Sequence, residues 1–100
     1  MTASYDGQGH FDWDPDKARS NFKKHRVTFE EALSAFRDPL SLVVPDPAHS
    51  ETEDRLVLIG LSDRRRLLVI IYVERGDSLR LISARTADSD ERREYEEEPG

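Results

Sequence analysis

The chain has 100 residues, of which 36% are hydrophobic and 36% charged, with a formal net charge of −6. That describes one domain with a single modest core under a densely charged surface. There is no cysteine, which excludes disulfide staples and thiolate zinc sites and fits a reducing cytoplasm; nor is there an apolar run of membrane-spanning length or a signal-like apolar stretch in the opening MTASYDGQGH.

Residues 1–10 are small and polar and read as a disordered tail. Phe11-Asp12-Trp13 is either a short edge strand or a pair of aromatics laid on the core. Asp14-Pro15 opens a helix: Asp14 is a good N-cap, and Pro15 takes the first helical position, where its missing N–H costs nothing. Trp13 is placed to staple onto Ala18. A second helix opens at Thr28, which with Glu31 makes a capping box, while Val27 staples onto Ala32. Its buried stripe is Phe29, Ala32, Leu33 and Phe36, and Arg37-Asp38-Pro39 stops it.

Leu40 to Val44 reads as a short strand ended by Pro45-Asp46-Pro47, followed by a polar loop from Ala48 to Asp54 that holds His49. Arg55 to Leu61 is the next strand, and Ser62 to Arg66 a turn with three consecutive arginines. Leu67 to Val73 is an apolar, β-branched run fit for a strand buried on both faces. Glu74 to Ser78 is a turn with Gly76 to take φ > 0. In the strand Leu79 to Arg85, strict alternation puts Leu79, Leu81, Ser83 and Arg85 on one side and Arg80, Ile82 and Ala84 on the other. Thr86 to about Glu97 reads as a very polar helix with an Asp88–Glu91 capping box and Tyr95 as its anchor. The expected fold is therefore α+β: two N-terminal helices, an antiparallel sheet of three to four strands and a C-terminal helix, with the helices on one face. The domain spans 11–97, and 98–100 is a tail.

The charge is unevenly spread. Residues 88–100 hold seven acids and two arginines, net −5, which leaves −1 for residues 1–87. Two segments of that body are basic. Lys17 to Arg26 has five lysines and arginines and no acid, and Arg64 to Arg85 has six arginines against Glu74 and Asp77. Each such run, taken alone, is an ordinary solvated face. The three histidines, His10, His25 and His49, have no metal-ligand spacing. Arg75-Gly76-Asp77 is a plain turn. What remains is a set of arginines, tyrosines and one helical histidine, and that set suits phosphate. Metal-independent RNA cleavage needs a base for the 2′-hydroxyl, cations for the phosphorane and an acid for the leaving oxygen. His25, Glu74 or a tyrosine fits base or acid; Arg80, Arg85 and one of Arg64 to Arg66 fit the cations.

Three blocks, FDWDPDKARSNFKKHRVTFEEALSAFRDPL, PDPAHSETEDRLVLIGLS and LLVIIYVERGDSLRLISARTADSDERREYEE, resemble the BrnT toxins of type II toxin–antitoxin systems over about residues 11–97. The resemblance implies a compact RelE-like fold and a cytoplasmic, metal-independent ribonuclease without cofactor. It also implies a BrnA-like ribbon-helix-helix antitoxin, with which the toxin binds and represses its own promoter DNA. The matching polar residues are Lys24 and His25, then Glu74, Arg75 and Asp77, then Arg80, Ser83 and Arg85, then Glu91 and Tyr95. From these, Arg85, Arg80, His25, Glu74 and Tyr95 are the expected catalytic set; the expected RNA contacts are Lys24 and Arg75 together with Lys23, Arg64 and Arg65 of the two basic segments. Two positions depart from the family. Arg26 stands where a glycine is common after the histidine, and Tyr72 stands where a histidine is common. If that histidine is catalytic in relatives, Tyr72 replaces it or activity here is weaker; the alternative reading is a non-catalytic corepressor scaffold for a DNA-binding antitoxin.

Overall fold

The computed structural model describes residues 10–46 and 55–97. The expected tails and the His49 loop lie outside them, apart from His10. In chain order the elements are β1 (His10–Asp12), α1 (Pro15–His25), α2 (Phe29–Ala35), β2 (Leu42–Pro45), β3 (Arg55–Leu61), β4 (Leu67–Arg75), β5 (Ser78–Thr86) and α3 (Ser89–Glu97). The sheet has five strands in the order β1-β5-β4-β3-β2, not three or four. Strands β2 to β5 form the expected antiparallel meander, whereas β1 pairs in parallel with β5, so the sheet is mixed. The local signals at both helix starts act as anticipated. Asp14 accepts from the Asp16 N–H, and Thr28 accepts from the Glu31 N–H. The return half of the second capping box does not form, because the Glu31 carboxylate is engaged elsewhere.

Because β4 is apolar on both faces, both faces need cover. Leu68, Ile70 and Tyr72 of β4 meet Phe29, Ala32, Ala35 and Phe36 from the helix layer, with Leu58, Leu79, Leu81 and Ala84 from the flanking strands. Edge-to-face ring contacts run through this core: Phe11 on Phe36 at 5.3 Å, Phe36 on Tyr72 at 5.0 Å and Trp13 on Phe29 at 5.5 Å. Leu67, Val69 and Ile59 point the other way, under Ala87 and Tyr95. Thus α3 lies on the opposite face from α2, against the expectation of one helical layer. Gly60 permits a close approach at the end of α2, since a Cβ there would stand 2.9 Å from the Ala35 carbonyl oxygen.

Strand β5 does not alternate strictly. Ile71 pairs with Ser83 but Tyr72 pairs with Leu81, which leaves Ile82 as the extra residue of a β-bulge. The bulge shifts the side-chain parity. Leu79, Leu81 and Ala84 join the α2-side core. Arg80, Ser83 and Arg85, opposite Val73, Ile71 and Val69, share the α3-side face. Sequence alternation had separated Arg80 from Arg85, and an unpaired residue in the ladder is invisible to a period-two pattern.

Candidate functional site

Beyond Asp12, the chain passes into α1, which runs beside the outer edge of β5. Asn21, 6% exposed, fastens the two together. Its side-chain amide donates to the Ala84 carbonyl at 2.8 Å and its oxygen accepts from the Ala84 N–H at 3.0 Å. The same amide nitrogen donates to the Val27 carbonyl at 3.0 Å. Asn21 thus does for Ala84 what a neighbouring strand would do. One turn later, Lys24 and His25 border a shallow depression of about 200 Å³ whose other wall includes Ile82 and Ser83 of the bulge.

The helix ends at Arg26, which adopts the left-handed conformation (φ 60°) that glycine would adopt without a Cβ penalty. Its N–H donates to the Phe22 carbonyl at 2.8 Å, and its guanidinium lies 5.3 Å from the centre of the Phe22 ring. The common glycine geometry is therefore kept despite the substitution. The Arg26 carbonyl in turn accepts from Arg66 Nη2 at 3.0 Å.

Arg66, which makes this link between the two basic segments, is itself held by one buried acid. Glu31, 5% exposed, accepts from Arg66 Nε at 3.0 Å and Nη2 at 2.5 Å, and from the Ser62 hydroxyl at 2.8 Å. The Arg66 hydrogen bond holds the Glu31 carboxyl below the usual carboxylate range, against the opposing effect of burial. Ser62 also accepts from the Arg64 and Arg66 N–H groups, so the charged turn is moulded around this pair. The Arg66 bond to the Arg26 carbonyl sets the end of α1 beside the turn that carries exposed Arg64 and Arg65, while exposed Lys24 lines the depression with Ile82 and Ser83 and exposed Lys23 lines a separate groove with Phe22, Thr28 and Glu30. Arg85 reaches that turn's end of the sheet, because Ala87, two residues on, donates its N–H to the Leu67 carbonyl beside Arg66.

Arg85 is held in a two-pronged pair with Glu91, at 2.8 and 2.7 Å. Glu91 completes the capping box of α3: it accepts from the Asp88 N–H at 2.9 Å, and Asp88 accepts from its N–H at 2.8 Å. The Arg85 hydrogen bonds lower the Glu91 pKa, and Glu91 raises that of Arg85. Tyr95 donates to Asp38 Oδ2 at 2.6 Å, and burial, then that bond, pushes its pKa up to about 12. Asp38 also accepts from the N–H groups of Leu40 and Leu61.

Other expected site residues stand apart from this end. Arg80 lies four ladder positions from Arg85, roughly 13 Å along the sheet, and pairs with Asp12 at 3.3 Å. Glu74 and Arg75 are at the far hairpin, about 17 to 20 Å along β4 from the Arg85 partner Val69. Tyr72 is in the core, 3% exposed, on the sheet face opposite Arg85. Asn21, Glu31 and Arg66 were not singled out by sequence as organisers of the site; the only hint was the unusual run of arginines in a turn. Among the described residues, no three His, Asp or Glu side chains gather as a metal site, and no helix is long and apolar enough to cross a membrane.

A family model described as the ribonuclease toxin BrnT of type II toxin–antitoxin systems matches residues 13–91. The chain belongs to the BrnT family. A solved structure, the ribonuclease toxin BrnT of Brucella abortus, is 30% identical; the match covers 82% of this chain and all of that one, with a TM-score of 0.60. No curated protein sequence matches the chain. As a BrnT toxin it implies an antitoxin partner. The α+β arrangement of three helices on a five-stranded sheet is accordingly similar to that of BrnT.

Proposed function

We propose that this BrnT toxin cleaves RNA at the end of the sheet where α1, the β3–β4 turn and Arg85 meet. The observation that carries this is the bond from Arg66, itself held by Glu31, to the Arg26 carbonyl, which joins the ends of two basic segments on an acidic protein. In this reading His25 takes the proton from a 2′-hydroxyl, the 2′-oxygen attacks phosphorus, and the P–O5′ bond breaks as the 5′-oxygen takes a proton from solvent water, giving a 2′,3′-cyclic phosphate and a 5′-hydroxyl. Arg85, Arg64 and Arg65 offset the charge of the phosphorane, with Lys23 and Lys24 on flanking phosphates. These side-chain cations make the step metal-independent. Arg80, Glu74 and Arg75 lie along the path of a longer RNA, and Tyr95 anchors α3. The fold is read as RelE-like, and the toxin is read as neutralised by a BrnA-like ribbon-helix-helix antitoxin, the pair repressing its own promoter. The test is cleavage of single-stranded RNA in excess EDTA by the wild type, Arg85→Ala and His25→Ala. Cyclic-phosphate products from the wild type, strongly reduced in both variants, support the proposal; activity lost in chelator and restored by magnesium refutes it.

A second reading has its own support. Tyr72, where relatives commonly have histidine, is a core aromatic, and Arg85 is already paired. A non-catalytic corepressor scaffold would show both. Growth arrest on expression, relieved by Arg85→Ala, separates the toxin from the scaffold.

A further inference from the structure

Arg85, like Arg66 with Glu31, has its fork filled by a carboxylate from another element. Glu91 presents both oxygens to two of its nitrogens, the geometry in which a phosphate would be gripped. The carboxylate is delivered by α3, whose nine residues carry five acids and two arginines, net −3. No residue of α3 is buried. The helix is held by its capping box, by the Arg85–Glu91 pair, by the half-buried ring of Tyr95 on the Leu67 and Val69 patch, and by the Tyr95 bond to Asp38. A helix so polar derives little stability from its own turns. Its attachment is therefore concentrated in two side chains one turn apart, one of which occupies an expected phosphate contact.

We propose that α3 is an autoinhibitory lid, in which Glu91 occupies the Arg85 guanidinium in place of an RNA phosphate and must be displaced when RNA binds. This rests on the assignment of Arg85 to the RNA site. Two releases follow from it. Removing the Glu91 charge empties the fork directly. Loosening the other end of the helix at Tyr95 frees the same fork without touching Arg85 or its partner. A helix that merely covers apolar surface would show no such link between Tyr95 and phosphate affinity.

The experiment measures binding of a 2′-O-methyl oligoribonucleotide, which lacks the attacking hydroxyl, to the full chain by fluorescence anisotropy. The variants are Glu91→Gln, Tyr95→Phe, Arg85→Ala and the double variant Arg85→Ala/Glu91→Gln. Glutamine keeps the capping-box hydrogen bond to the Asp88 N–H, and circular dichroism verifies that each variant is folded. The lid predicts that Glu91→Gln tightens binding about three- to fivefold, the scale of an exposed ion pair. Tyr95→Phe tightens it in the same direction, and the gain from Glu91→Gln disappears when Arg85 is alanine. If Arg85→Ala weakens binding but Glu91→Gln leaves it unchanged or weaker, the RNA site stands and the lid is refuted. If Arg85→Ala itself has no effect, the RNA role of Arg85 and the lid both fall.

Discussion

Replacing Glu31 by alanine tests the tie that gathers the basic segments. The acid is 5% exposed and meets Arg66 through both oxygens and Ser62 through one. Breaking a buried ion pair by deleting one partner costs about 3–5 kcal/mol. The Arg66 side chain is 32% exposed, so water recovers part of its solvation, and the expected cost falls to about 2–3 kcal/mol. For a domain of this size that lowers Tm by roughly 10–20 °C, read by circular dichroism. Glu31→Gln keeps partners for Ser62 and Arg66 and loses less. The pH dependence has a fixed sign. The folded Glu31 pKa lies below its ordinary value of 4.5, so the unfolded chain binds the proton more readily. The stabilisation is present above pH 4.5 and is lost as pH falls through the lowered value, and the glutamine variant lacks that part of the acid slope. A Tm for Glu31→Ala within about 2 °C of wild type, equivalent to under ~0.5 kcal/mol, would refute the reasoning.

Three further outcomes follow. Gly60→Ala places a Cβ 2.9 Å from the Ala35 carbonyl oxygen and should cost about 1–3 kcal/mol in urea unfolding as the end of α2 is pushed away. Asn21→Ala leaves the Ala84 N–H and carbonyl without their amide partner and should cost about 1–3 kcal/mol, with amide hydrogen exchange fastest along β5 and the end of α1. Tyr95 ionises near pH 12 in the fold against an ordinary 10, so its stabilisation is full below pH 10 and is lost as pH rises towards 12; Tyr95→Phe should flatten the alkaline limb of urea midpoints.

The helices and the meander were legible because their signals are local. Asp14-Pro15, Thr28 and the Asp88–Glu91 box each act within one turn, and the seven-residue apolar run of β4 admits little but a central strand. What escaped depends on partners distant in sequence. The parallel pairing of β1 joins it to β5, near the other end of the chain. Three residues of mixed character cannot specify that. The placement of α3 on the second face follows from Val69 and Leu67 needing cover, which Tyr95 and Ala87 supply. At the site, arginine clusters were visible as composition, but the separation of Arg80, Glu74 and Arg75 from Arg85 needed the strand direction and the hairpin. Glu31 looked like a capping residue because its real partner, Arg66, is 35 positions away.

The unpaired Ile82 gives β5 one residue of slack. Removing it would leave Ser83 still opposite Ile71 and Leu81 still opposite Tyr72, in an unbroken ladder. Every downstream side chain, Arg85 included, would keep its face. A one-residue insertion beside it has no such reserve and must either open a wider bulge or turn Arg85 into the core. Changes in chain length at this point are therefore asymmetric: the strand can shorten by one residue and retain its outward arginines, but it cannot lengthen by one on the same terms.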